Sequence, residues 1–178
     1  MNATLVTLAA LILAGCAMTG GGGGGGGAPT ATADLKDARG QSIGIATLTE
    51  QDGRVRLVVQ AKGLAPGKHG IHIHAIGRCE PPAFTSAGGH YNPLSRKHGL
   101  ETPDGAHAGD LPNLDADGSG DARYEATTDR LTLREGSVSV FDGDGSALVI
   151  HEKEDDQKTD PTGNSGGRVA CGVIERRG

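Results

Sequence analysis

Ile43-Gly44-Ile45-Ala46-Thr47-Leu48-Thr49, followed by Asp52-Gly53 and then Val55 to Val59, reads as a strand, a two-residue turn and a return strand. An Asp-Gly pair between two β-prone runs is a strong hairpin signal, because the tight turn that matches strand twist needs φ > 0 at both central residues. Working outward, Thr32 to Lys36 precedes this hairpin as a weaker strand. Gly67 to Ala75, Arg123 to Thr127, Ser137 to Phe141, Ala147 to His151 and Arg168 to Ile174 follow it. No segment sustains a 3.6-residue period. The pattern predicts an all-β domain of about eight strands, an antiparallel sandwich or barrel.

Two stretches between these strands are too long to be simple turns. Ile76 to Gly120 is rich in Gly, Pro, Asn and Asp, and Glu152 to Gly167 mixes charges with Gly and Pro. Irregular loops beyond about 12–15 residues are uncommon in compact domains and are usually functional. Both are read as functional loops that something must tie down.

Composition narrows the function. A chain of 178 residues allows one domain. Its 17 basic and 22 acidic residues give a net charge of −5, which argues against a nucleic-acid partner. With 2 Phe, 2 Tyr and no Trp, the composition argues against stacking platforms for bases or sugars, and the core must rest on Val, Ile, Leu and Ala. The 31 glycines follow no three-residue period, so collagen is excluded.

Leu5 to Leu13 is almost wholly apolar, with the length of a signal-peptide core and too short to span a bilayer as a helix. Leu13-Ala14-Gly15-Cys16 follows and resembles the lipobox of bacterial lipoproteins, although no Lys or Arg lies between Met1 and Cys16. Residues 1–15 are therefore read as a signal peptide and Cys16 as the lipidated residue, the alternative being an ordinary secretory signal cut elsewhere. Gly20 to Gly27 has no side chains to pack, which makes 16–29 a flexible tether and 30–178 the folded domain. If Cys16 carries lipid, Cys79 and Cys171 remain as an even pair. In an exported protein that reads as one disulfide, with two free thiols as the alternative.

The histidines carry the chemistry. His72 and His74 stand at i and i+2 on a strand and so share a face. His90, His98, His107 and Asp110 all fall in the first long loop, and His151 ends a later strand. Imidazole nitrogens suit copper and zinc, and one carboxylate among them is compatible with zinc.

At this point the chain resembles the copper/zinc superoxide dismutases, from about Ala31 to Ile174. The resemblance rests on Gly67-Lys68-His69-Gly70-Ile71-His72-Ile73-His74, Thr85-Ser86-Ala87-Gly88-Gly89-His90-Tyr91-Asn92-Pro93 and Lys97-His98-Gly99. It continues through His107-Ala108-Gly109-Asp110-Leu111, Val149-Ile150-His151-Glu152-Lys153 and Gly163-Asn164-Ser165-Gly166-Gly167-Arg168-Val169-Ala170-Cys171-Gly172. That family has an immunoglobulin-like sandwich architecture, so the resemblance implies an eight-stranded antiparallel Greek-key sandwich or barrel with the two long functional loops.

The resemblance implies one copper on His72, His74, His90 and His151, and one zinc on His90, His98, His107 and Asp110. His90 would serve both ions as an imidazolate. Asp155 would join His72 and His98 from the second sphere, His69 would be structural, and Cys79 and Cys171 would form the family disulfide. The implied reaction is dismutation of superoxide to dioxygen and hydrogen peroxide, with His90 handling a proton and Arg168 orienting the anion. Lys153 and Lys158 are weaker candidates for attracting it.

Arg78 to Phe84 and the short loop 152–167 look like bacterial rather than animal members, so charge steering cannot be copied from the latter. The rival reading is a non-enzymatic copper-carrying or metal-buffering module on the same fold. An exported protein of the periplasm or cell envelope is expected, touching a membrane through a lipid anchor only, as a monomer or homodimer.

Overall fold

The computed structural model describes Met1 and residues 27–177; the signal segment, Cys16 and nearly all of the glycine run lie outside the described residues. The strands are β1 (Thr30–Asp37), β2 (Ser42–Gln51), β3 (Arg54–Ala61), β4 (Gly67–His69), β5 (Ile71–His74), β6 (Leu114–Ala116), β7 (Ala122–Thr128), β8 (Ala147–His151), β9 (Arg168–Val173) and β10 (Glu175–Arg177). A single 3₁₀ turn at Thr85–Ala87 is the only helical element among the described residues. None of these is a helix long and apolar enough to cross a membrane.

The β2–β3 hairpin forms where the Asp-Gly pair places it. Asp52 (φ 52°) and Gly53 (φ 72°) both take the left-handed conformation, and Gln51 pairs with Arg54. Alternation then decides which side faces inward. On β3, Val55, Leu57, Val59 and Ala61 are buried while Arg54, Arg56 and Gln60 are exposed. β7 answers with buried Ala122, Tyr124 and Ala126, so that Leu57 sits opposite Ala126 and Val59 opposite Tyr124.

All strand pairs are antiparallel, in the order β4-β6-β7-β3-β2-β1-β9-β8-β5, with β10 added beside β1. The two end strands of that order, β4 and β5, are joined in sequence through Gly70. The sheet is thereby curled into a nearly closed barrel. The connections β3 to β4 and β5 to β6 skip over other strands, as a Greek key requires.

Two strand expectations need correction. Gly67 to Ala75 is not one strand: Gly70 leaves the ladder, donating to Lys153 O (2.7 Å) and accepting from His151 N (2.8 Å), so β4 pairs with β6 and β5 with β8. Ser137 to Phe141 is not a strand at all. Ser139 and Val140 are both buried, which breaks the alternation, and the segment makes only an isolated bridge between Thr132 and Ser139.

The core is largely aliphatic, with Leu35, Leu48, Leu57, Ile71, Ile73, Leu114, Leu148 and Ile150 fully enclosed. The scarce aromatics nonetheless join it: Phe84, Tyr91 and Tyr124 are buried too.

β8 is buried on both faces. Leu148 and Ile150 point into the barrel, opposite Ile73 and Ile71 of β5. Ala147 and Val149 point outward into a second cluster with Phe84, Ala87 and Cys171. The outer face of β5, β8 and β9 is thus roofed by the loops 75–113 and 152–167. Cys79 and Cys171, with Cα atoms 5.6 Å apart, tie the first loop to β9 by a disulfide that spans 92 residues. A cross-link of that span stabilises a fold by about 4–5 kcal/mol in the chain-entropy account.

Candidate metal centre

The roofed outer face holds the histidines. His72 and His74 alternate with core-facing Ile71 and Ile73 on β5, and His151 ends the adjacent β8 on the same side. His90 arrives from the first loop through a bridge with His74. His72, His74, His90 and His151 are all buried and bring their ring nitrogens within 4.8 Å of one another.

Hydrogen bonds at the back of these rings fix where the lone pairs point. His72 Nε2 donates to Asp155 Oδ2 (2.7 Å), His74 Nδ1 to Gly88 O (3.0 Å), and His151 Nδ1 approaches Gly166 O (3.4 Å). That leaves His72 Nδ1 without a partner and sets His74 Nε2 against His151 Nε2 at 3.3 Å. His90 Nε2 is also unpartnered. Four lone pairs turned toward one buried point repel one another, and a cation between them removes that conflict. The residues fit a copper ion.

The second set shares His90. Asp110 Oδ1 lies 3.0 Å from His90 Nδ1, 3.1 Å from His98 Nδ1 and 3.3 Å from His107 Nδ1. A tetrahedron of ligands about 2.0 Å from zinc has edges of about 3.3 Å, so the residues fit that ion. Asp110 Oδ2 meanwhile accepts from Gly99 N (2.8 Å) and His107 N (2.9 Å), which locks the carboxylate. Gly109, between the ligands, lies so close to Ile73 O that a side chain there would collide with β5.

Asp155 joins the two sets. Its Oδ2 receives His72 Nε2 and its Oδ1 receives His98 Nε2 (3.0 Å). His69 stays out of both sets, with ring nitrogens 2.7 Å from His151 O and from Ala65 O. Asp156 is exposed and takes its bonds from Lys158, Thr159 and Asn164.

Proton affinities differ between the sets. Burial pushes His90 down to about 4 and His151 down to about 3; it also holds His74 well below its ordinary value, helped by the neighbouring His90 and Arg168 charges. These rings are neutral at physiological pH and offer lone pairs without losing a proton first. His98 is the opposite case. Burial alone would lower it, but hydrogen bonds and charge from Asp110 and Asp155 outweigh that and raise it to about 9. Asp110 itself is held far below the usual carboxylate range by its ring and backbone donors, against the effect of burial.

Arg168 opens β9 opposite His151. Its two terminal nitrogens donate to Phe84 O and Gly88 O. Gly88 O therefore accepts from Arg168 and from His74, linking the guanidinium to the first ligand set. Lys158 is paired with Glu101 (2.8 Å), whereas Lys153 is exposed and makes no ion pair among the described residues. The sequence reading missed three supports. Asn113 holds the backbone of Asp155 by two hydrogen bonds, Asp160 accepts from His98 N (2.7 Å), and Arg130 reaches the backbone of two ligands. Asp160 follows a run of charged loop residues and Arg130 stands at a strand end, so neither carries a local signal of its role.

The chain is similar to known proteins over most of its length. The family model described as copper/zinc superoxide dismutase (SODC) matches residues 42–174. The copper-zinc superoxide dismutase 2 of Aquifex aeolicus is 47% identical over 146 residues, covering 81% of this chain and 85% of that protein. The copper-zinc superoxide dismutase of Caulobacter vibrioides is 42% identical over 149 residues, covering 82% and 86%. Among solved structures, a superoxide dismutase-like protein from Bacillus subtilis matches with a TM-score of 0.77 at 38% identity, covering 80% of this chain and 96% of that one.

The His98 environment makes a prediction. With its pKa near 9 the metal-free ring is an imidazolium at pH 7.5, and an ion on Nδ1 must displace that proton. Zinc added to metal-free protein should release about one proton at pH 7.5, and the release should fade as pH rises through 9. Calorimetry in buffers of differing ionisation enthalpy reads it. Asp155→Asn removes one of the two carboxylates that raise the ring and should move the midpoint down.

Proposed function

The chain belongs to the copper/zinc superoxide dismutase family, and from that premise we propose that it dismutes superoxide to dioxygen and hydrogen peroxide, with copper on His72, His74, His90 and His151 and zinc on His90, His98, His107 and Asp110. The observation that carries this reading is that two buried ligand sets meet in one ring, His90. The family takes one copper and one zinc. Bound copper supplies one-electron chemistry, accepting an electron from one superoxide and giving it to a second.

The protein's own part is orientation, proton handling and capture. Asp155 keeps protons on the Nε2 atoms of His72 and His98, so both rings present Nδ1 to their ions. His90 presents Nδ1 to the zinc set and Nε2 to the copper set. Its Nε2 can take up a proton when it is not engaged and pass it to the product peroxide; solvent supplies the second. Arg168 holds a cation beside His74 and His151, where it attracts and orients a small anion.

The rival, a copper-carrying module, is not favoured. The fold alone does not exclude it, since a relative named only superoxide dismutase-like shares that fold. What supports the enzyme is a complete ligand set together with Arg168. His151→Ala should lose copper and keep zinc, and Asp110→Ala should do the reverse, with superoxide dismutation lost in the first; elemental analysis and a dismutation assay check both. Copper added to zinc-loaded protein should release about one proton from His90 Nε2, and none from zinc-free protein, where that proton rests on Nδ1 against Asp110. No release in either case, or full activity without copper, would sink the bridged reading.

Capture is tested at Arg168. The chain's net charge is −5, so its distant field repels superoxide and local positive charge must act at the mouth of the site. Arg168→Glu should slow the second-order rate by at least tenfold with metal content unchanged. Arg168→Lys should keep part of it, because charge survives without the planar fork. Pulse radiolysis over a salt series checks both. A wild-type rate in Arg168→Glu would make the arginine a bystander.

We also propose export and anchoring. The disulfide suits an oxidising compartment, and residues 1–15 act as a signal that leaves Cys16 lipidated, with the domain on a glycine tether. One acyl chain anchors only marginally, so more than one is needed. Cys16→Ser should release active enzyme from the membrane fraction. An unmodified Cys16 in membrane-bound protein, seen by mass spectrometry, would overturn lipidation.

A further inference from the structure

The segment 129–146 between β7 and β8, whose strand-like sequence forms no strand, packs behind the zinc set. Its base is fixed to the barrel by Glu50 of β2, which is 5% exposed. That carboxylate accepts from Thr132 Oγ1 and Leu133 N, both at 2.7 Å, and pairs with Arg134 Nε at 3.3 Å. Its far side is fixed to the first loop, where Tyr91 Oη donates to Ser139 O (2.6 Å). Between these anchors Arg130, half-buried, extends toward the ligands.

Arg130 Nε donates to His107 O (3.3 Å), and one of its terminal nitrogens donates to Asp110 O (2.5 Å). Both acceptors are main-chain oxygens, and both belong to residues of the zinc set. They stand at the two ends of one turn, which is closed by Asp110 N on His107 O (3.3 Å) and by His107 N on Asp110 Oδ2 (2.9 Å). A planar guanidinium can hold two oxygens at once in fixed geometry, which an ammonium cannot.

We propose that Arg130 is a positioning residue for the zinc site. It clamps the peptide groups of His107 and Asp110, so that Nδ1 of one and Oδ1 of the other stand at tetrahedral spacing before the ion arrives. This rests on the assignment of zinc to that set. The clamp makes a prediction opposite in sign to simple electrostatics. A cation beside a dication repels it, so by charge alone removing Arg130 should tighten zinc binding. By the clamp, removal should loosen it.

Zinc affinity of the metal-free, disulfide-intact full chain, measured by competition with a chromophoric chelator, decides between them. Arg130→Gln should weaken zinc by about tenfold or more, leave copper affinity at the other set within about twofold, and broaden the visible d–d bands of cobalt(II) bound in place of zinc. Arg130→Lys, which keeps the charge and is the milder change for folding, should fall between wild type and Arg130→Gln. Unchanged or tighter zinc binding in either variant overturns the clamp, as does equal weakening of both metals. Asp110→Ala serves as the control. If it retains zinc, the ligand assignment fails and the clamp fails with it; if it loses zinc while Arg130→Gln binds normally, the clamp alone is wrong.

Discussion

The carboxylate of Asp155 accepts one ring nitrogen on each oxygen, and those rings belong to different ligand sets on different parts of the chain. His72 rides on β5, His98 on the first long loop, and Asp155 itself on the second. A carboxylate that is 1% exposed is costly unless several donors surround it. Here the two rings and Gln157 N supply them, while Asn113 grips the backbone on either side of the ring contacts. The same bonds choose the tautomer of both rings. One buried acid therefore joins three segments and aims two rings. Gly163 lies against this acid so closely that any side chain there would displace it.

The placement of the site follows from how the barrel closes. Because Gly70 turns the chain from one end of the sheet to the other, its neighbours His69 and His72 come to lie beside Lys153 and His151, where the second loop begins. The inner face of β5 and β8 is filled by Ile71, Ile73, Leu148 and Ile150. The outer face would be water-exposed in a simple barrel. Covering it with two loops excludes water from polar rings, and the structure bears the consequence: His72 Nδ1 and His90 Nε2 are buried without partners. Each such group costs of the order of 1–3 kcal/mol when left unmet. Metal binding offsets that cost, so affinity for the ions and stability of the fold are one quantity seen twice.

Much of this was legible in the residues, for identifiable reasons. The Asp52-Gly53 turn, the i, i+2 pair His72 and His74, and the loop histidines announce themselves because turn chemistry and ligand identity reside in side chains. What stayed hidden depends on partners. Gly67 to Ala75 alternates like one strand, and only the separate claims of β6 and β8 on its halves divide it. Ser137 to Phe141 has strand-like residues but no ladder to join. Arg130 acts through main-chain carbonyls, and a carbonyl leaves no mark on the residue that bears it. Asp160 reaches His98 across two loops whose packing no local pattern encodes.

Arg168 shows how backbone strain enters such a site. Phe84 is a bulky residue in the left-handed region, with φ 53° and ψ 24°, a conformation that costs about 1–3 kcal/mol outside glycine. It is held there because its ring is wholly buried among Ala87, Ala147, Val149 and Cys171, with the disulfide alongside. The return is direction: this conformation turns Phe84 O toward one terminal nitrogen of Arg168 while Gly88 O meets the other. A guanidinium has five N–H donors, and two carbonyls leave donors over for an incoming anion. Lys158 is neutralised by Glu101, so in a chain of net charge −5 the positive charge held beside His74 is that of Arg168, with Arg130 behind the other set. The strained carbonyl and the buried ring, with the disulfide alongside, thus fix a cation beside His74, which is where the proposed capture of an anion by a chain of net charge −5 needs one.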